Sequence, residues 1–298
     1  MSAMSAMSAI GPSWDLVADI QLLLLYPFMR NAYLAGTLVA IMAGLLGFFL
    51  VARGQSFAAH SLTNTGFAGA TGAGLVGAPP VLGLFIASAL AAVGIHALGD
   101  RRARDSDIAV GAVLTASLAL GFLWLRLSSS QYAGAVYDAL FGNTLGVNVS
   151  DIRVIVVALA LVALALVIAG RPLYFASIDP DVAAASGVPV RALDLGFLVL
   201  LAVVVAVAVQ ITGVLLIFAL LVTPAAIARR VTPRPALALA LGVALAVAFT
   251  WLGLAAGYFS PYPVGFYITT LAFVCYLAIQ VFWRPRRTGA IVAAGDAA

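Results

Sequence analysis

One stretch of this chain carries most of its candidate chemistry. The run SFAAHSLTNTGFAGATGAG, beginning at Ser56, sets Ser56, His60 and Asn64 at steps of four, with Thr63 and Thr71 close to the same helical face. An imidazole, an amide carbonyl and hydroxyls on one stripe admit two chemistries. They can coordinate a cation weakly, since a neutral imidazole suits zinc or manganese and Asn64 adds only a poor oxygen donor. Alternatively Ser56 or Thr63 beside His60 could pair a nucleophile with a base, but no acid is placed to orient the ring. The plain alternative is a histidine hydrogen-bonded to a neighbouring helix.

The elements that must hold this stripe belong to a membrane protein. Of 298 residues, 64% are hydrophobic and 9% charged, and the mean hydropathy is +1.15, whereas a soluble domain carries about 25% charged residues. An ionisable group on a helix at membrane depth is a functional candidate, because burying it in hydrocarbon costs several kcal/mol. All 15 basic residues are arginine and all 11 acidic ones aspartate. Without lysine the chain has neither a GxxxxGK[ST] phosphate loop nor a Schiff-base amine. The single Cys275 excludes internal disulfides and thiolate zinc sites, so no bound cofactor is expected.

The fold class expected is all-α, a polytopic transmembrane helical bundle. Apolar runs of crossing length fall near 31–52, 56–77, 80–98, 108–127, 152–170, 193–209, 211–228, 235–256 and 265–283, about nine spans with eight to ten admitted by the same runs. The sixth and seventh are parted only by Gln210, Thr212 and Gly213. Nine spans put twelve arginines on one side and Arg30, Arg126 and Arg153 on the other, so the N-terminus is expected outside and the C-terminus inside. This bias accounts for the basic pI of about 9.5 without a nucleic-acid partner. Residues 1–13 are expected to be a disordered tail, 14–30 an interfacial helix, 31–283 the transmembrane domain and 284–298 a cytoplasmic tail. The first of these lacks a basic n-region, so no cleavable signal peptide is expected.

A second informative stretch is the loop from Arg171 to Asp194. Asp179 can cap a helix opened by Pro180, and Gly187 followed by Pro189 can end it. A short helix so bounded, lying between two crossings on the cytoplasmic face, is either a solvated linker or a docking knob. Pro224, in the run LLVTPAAIARR, is expected to kink the seventh span. His96, beside Asp100 and Arg101, reads as an interfacial residue. The outer loop from Ser128 to Ser150 reads as a short interfacial helix followed by a turn at Gly142.

Five stretches taken together are specific: FMRNAYLAGTLVAIMAGLLGFFLVARGQSFAAHSLTNTGFAG, ALFGNTLGVNVSDI, FASIDPDVAAASGVPV, ITGVLLIFALLVTPAAIARR and YPVGFYITTLAF. In this order, from about Phe28 to Phe282, the chain resembles the integral membrane permease subunit of zinc and manganese ABC importers. The resemblance implies a homodimeric or paired permease in the cell membrane, energised by separate cytoplasmic ATP-binding cassette subunits and fed by an extracytoplasmic metal-binding protein. It implies that residues 179–190, with Asp179, Pro180, Asp181, Ala184, Gly187, Val188 and Pro189, form the coupling helix that docks on the ATPase. It also implies that the second span, with His60 and Asn64 as metal contacts and Ser56 and Thr63 lining, belongs to the metal path.

At one position the match departs: Asn64 stands where the family commonly has histidine. A donor set without a carboxylate disfavours manganese relative to zinc. Two rival functions remain beside a metal ABC permease: an ABC permease for a non-metal cargo, and a secondary transporter, which would need intramembrane carboxylates for ion coupling.

Overall fold

Proline at a first helical turn forfeits only an N–H that would be unpaired anyway, and four of the described helices open in that way, at Pro27, Pro80, Pro180 and Pro235. The structure, a computed structural model, describes residues 26–98, 103–127 and 142–282. All regular elements among them are helical: α1 Pro27–Ala52, α2 Ser56–Leu75, α3 Pro80–Leu98, α4 Ala103–Leu127, a 3-10 turn Thr144–Gly146, α5 Val149–Ile178, α6 Pro180–Ala185, α7 Val190–Val231, α8 Pro235–Tyr258 and α9 Val264–Phe282. The expected tails, and residues 14–25 of the expected interfacial helix, lie outside the described residues.

Two boundaries differ from the sequence reading. Pro27 opens α1, so Pro27–Arg30 belong to the first crossing helix and not to an interfacial one. The segment taken as a long loop from Arg171 to Asp194 is mostly helix: α5 continues through Pro172 to Ile178, and α7 begins at Val190. A proline inside a membrane helix is tolerated where neighbours re-satisfy the freed backbone.

The α7 helix decides the topology. Straight, its 42 residues would span about 63 Å, twice the hydrocarbon thickness of a bilayer. It doubles back at Gly213, whose φ of 78° and ψ of 164° are non-helical. Both its ends lie at the end of the bundle where α1 finishes. Asp194 pairs with Arg53, which also reaches Ser177, and Ser177 lines one cavity of about 360 Å³ with Ala52, Arg229 and Thr232. The break lies at the opposite end, where Thr144 bonds to Ile211 and Asn31, near the start of α1, bonds to Val147. Pro224, the expected kink, sits buried within helical backbone, and the interruption of α7 is at Gly213.

Seven helical segments among the described residues are long and apolar enough to cross a membrane. The polar α2 and the second limb of α7 coincide with the other two expected crossings. The α7 hairpin is the hub, touching α1, α2, α3, α5, α8 and α9. On one side of it α2 packs with α3 and α4, and on the other α1 packs with α8. In lipid the hydrophobic effect does not drive helices together, so close approach at small residues must do so. Gly44 lies against Val243 and Gly36 against Thr250, while Met42, Leu46, Leu50, Leu201, Leu220 and Leu221 fill the centre.

Candidate functional site

The α2 helix owes its position to its glycines. A Cβ at Gly69 would strike the Gly83 carbonyl of α3, and one at Gly83 would strike the Gly69 carbonyl, so the two backbones are in contact. On the α4 side, Gly72 lies beneath the Trp124 ring, where an added Cβ would come within 2.6 Å of it. Wedged in this way, α2 buries Ser61 through Gly69, and each polar group among them must find a partner.

Most do so through structural bonds. Ser61 donates to the Val110 carbonyl of α4 at 3.3 Å, and Thr65 shares a hydrogen bond with Ser117 at 2.7 Å. Ser88 of α3 reaches the Leu62 carbonyl at 3.5 Å. Thr63 is fully buried, and its hydroxyl donates to the Ala59 carbonyl of its own helix at 2.6 Å. Thr71 likewise donates to the Ala68 carbonyl at 2.9 Å.

His60 and Asn64 are arranged differently. The Asn64 amide nitrogen donates to the His60 carbonyl at 2.8 Å and lies 3.4 Å from His60 Nε2. The Phe218 ring, from the second limb of α7, meets the imidazole edge-on with centroids 5.0 Å apart. His60 Nδ1 is buried and has no hydrogen-bond partner among the described residues. His60 is half-buried and Ser56, one turn earlier, is too. Ser56 and His60 are therefore the partly open end of the stripe, toward the Arg53 end of the bundle, whereas Asn64 beneath His60 is buried and Thr63 is turned into the packing. No cluster of three or more His, Cys, Asp or Glu side chains capable of holding a metal occurs among the described residues. One chain thus offers here a single imidazole nitrogen beside an amide, too few donors for a tight metal site.

The segment from Asp179 to Pro189 forms a projecting knob. The Asp179 carboxylate accepts the Val182 N–H at 3.0 Å and caps α6, with Pro180 at its first position. The Val188 N–H closes back on the Ala183 carbonyl at 3.0 Å, and Gly187 adopts φ 85°. Ala183 is fully buried and anchors the turn. Asp179, Pro180, Asp181, Ala184, Gly187 and Pro189 are exposed and Val188 is half-buried.

Residues 25–283 match the ABC 3 transport family. The chain belongs to this family. It is a multi-pass membrane permease. As an ABC 3 family chain it is 30% identical over 71% of its length to the manganese transport system membrane protein MntC of Halalkalibacterium halodurans, covering 72% of that protein. It is 29% identical over 88% of its length to the manganese import system permease protein ScaB of Streptococcus parasanguinis, covering 92% of it. Among solved structures, PsaBC from Streptococcus pneumoniae in complex with Fab aligns with a TM-score of 0.79 at 29% identity, over 90% of this chain and 96% of the other.

Three residues of this ABC 3 chain escape a reading of its sequence. Phe218 looks like any apolar residue of a span, yet it faces His60. Thr144 lies in a loop and holds the α7 break. Arg53 reads as one more positive-inside charge, yet its side chain is 7% exposed and paired with Asp194. A buried charge seldom stands without a partner, but the sequence does not name which aspartate supplies it.

Proposed function

We propose that this ABC 3 permease carries a divalent first-row metal ion into the cytoplasm, energised by separate ATP-binding cassette subunits. The observation that carries the reading is the half-buried His60, with an unpartnered Nδ1 and the buried Asn64 amide beside it, on the polar helix α2. Imidazole nitrogen is a ligand for such ions, and a single strong donor per chain gives the shallow well that release requires. A second copy of the chain forms the other half of the conduit, and an extracytoplasmic metal-binding protein delivers the cargo.

The exposed, capped α6 knob is the seat for the ATPase. A rigid short helix held at both ends transmits a push from the partner into α5 and α7, which flank it. The donor set, without a carboxylate beside His60, favours zinc, while MntC and ScaB are named for manganese. Uptake of Zn²⁺ and Mn²⁺ into vesicles holding the permease with its ATPase, each competing against the other, decides between them.

The test of the whole reading uses two variants. His60→Ala should cut ATP-driven metal uptake at normal membrane abundance. Asp179→Arg with Asp181→Arg should leave the permease in the membrane but abolish co-purification of the ATPase. Wild-type uptake in the first variant would return His60 to a packing role, and undiminished ATPase binding in the second would remove the docking role of α6.

A further inference from the structure

The end of α1 carries a buried cation that neither the metal path nor the docking knob uses. Arg53 is the residue immediately after α1, and its side chain is 7% exposed. One guanidinium nitrogen pairs with Asp194 in the first turns of α7. The other lies 3.5 Å from the Ser177 hydroxyl near the end of α5, and Nε lies 3.4 Å from the Gln55 side-chain oxygen. The Phe197 ring, also on α7, sits under the guanidinium with its centroid 5.5 Å from Cζ. Ser177 and Asp194 are the flanks of α6: one lies just before its cap at Asp179 and the other just after α7 begins at Val190. Arg53 therefore grips both struts that carry the knob.

What Arg53 grips them to is α2, the helix that carries His60. Gly54, with φ 68°, turns the chain directly after Arg53, and α2 begins at Ser56 with His60 at its second turn. Direct packing between α1 and α2 is slight compared with that of α2 on α3 and α4. The short Arg53–Gln55 turn is thus a covalent lever from the knob's struts to α2. The Gln55 side chain that Arg53 contacts belongs to the residue capping α2.

We propose that Arg53 and Asp194 are positioning residues that transmit movement of the α6 knob to the His60 stripe of α2, so that ATP hydrolysis in the partner is converted into metal movement. This rests on the ABC reading of the permease given above. A planar guanidinium suits the role, because its fork can hold a carboxylate and a hydroxyl at once in a fixed geometry, and the Arg53 side chain is buried while Asp194 is 30% exposed. Coupling carried by one such element amounts typically to a five- to 150-fold effect, by order of magnitude (~1–3 kcal/mol).

The test uses the full permease reconstituted with its ATPase subunits and reads ATP-driven metal uptake and ATP hydrolysis in the same vesicles. Arg53→Gln and Asp194→Asn should each keep membrane abundance and ATPase co-purification, keep hydrolysis within about twofold, and lower metal moved per ATP by about tenfold. The exchange Arg53→Asp with Asp194→Arg should recover the ratio to within about threefold of wild type. A wild-type ratio in both single variants overturns the proposal. So does an exchange no better than the singles, or loss of both variants from the membrane, which would make the pair a folding element. Failure of the ABC reading itself would show in the wild-type vesicles, which would then take up no metal on ATP addition.

Discussion

The Thr144 hydroxyl donates to the carbonyl oxygen of Ile211 at 3.0 Å, two residues before the backbone of α7 leaves the helix at Gly213. A helix that reverses frees carbonyls it would otherwise use itself, and in a membrane these cannot turn to water. Thr144, itself buried, supplies the missing donor from the loop before α5. Thr144→Val, which keeps the shape and removes the hydroxyl, should lower stability by about 1–3 kcal/mol. The change would be read as a lower midpoint of thermal unfolding in detergent, and an unchanged midpoint would mean that the carbonyl finds another donor.

Gly213 makes the reversal. At φ 78° and ψ 164° it occupies a region essentially closed to residues with a Cβ, so Gly213→Ala should cost about 1–3 kcal/mol. Gly142, with φ 72°, packs so closely on residues 211–213 that a Cβ there would meet the Gly213 nitrogen. Gly142→Ala should therefore impair the same hairpin, measured as reduced membrane accumulation and increased proteolysis. Full stability in both variants would show that the α7 turn can relax.

The α2–α3 crossing should be intolerant of any side chain. Gly69→Val should prevent accumulation, because the added atoms fall on the Gly83 backbone. Gly74 is the internal control: it lies on the same helix with nothing within 4 Å of its would-be Cβ. Gly74→Ala should be neutral or stabilising by up to about 1 kcal/mol. Equal behaviour of the two variants, judged by detergent-extracted yield and thermal midpoint, would contradict the close crossing.

Asn64→His would place a second imidazole one turn from His60, beside its ring, on α2. Two nitrogens hold a transition metal more tightly than one, so the half-saturating metal concentration for uptake should fall by about tenfold, equivalent to about 1.4 kcal/mol. The maximal rate should fall as well, because a deeper well releases its ion more slowly. Uptake kinetics with Zn²⁺ and Mn²⁺ check both arms, and unchanged kinetics would mean that position 64 does not meet the ion.

Much of this protein is legible in its sequence. Crossing helices follow from the lengths of apolar runs, and the Asp179–Pro180 start of α6 and its Gly187 end follow from capping chemistry confined to a few residues. The break at Gly213 was likewise marked by the polar pair around it. Where the local reading erred, at Pro27 and across Pro172, the same residue type can stop a helix or sit at its start, and which one occurs depends on neighbours.

The lateral arrangement was beyond that reach. Helices that are apolar nearly all round carry little periodic signal about which face meets which neighbour. Only the tertiary structure turned Thr63 inward and left His60 half-buried, brought Phe218 to the imidazole, and chose Asp194 as the partner of Arg53. The sequence by itself settled that the chain is a bundle of apolar crossing helices and roughly where they lie, because hydrogen bonding along a helix is local. Folding decided which polar groups face one another, because that depends on the close approach of glycines far apart in the chain, as at Gly69 and Gly83.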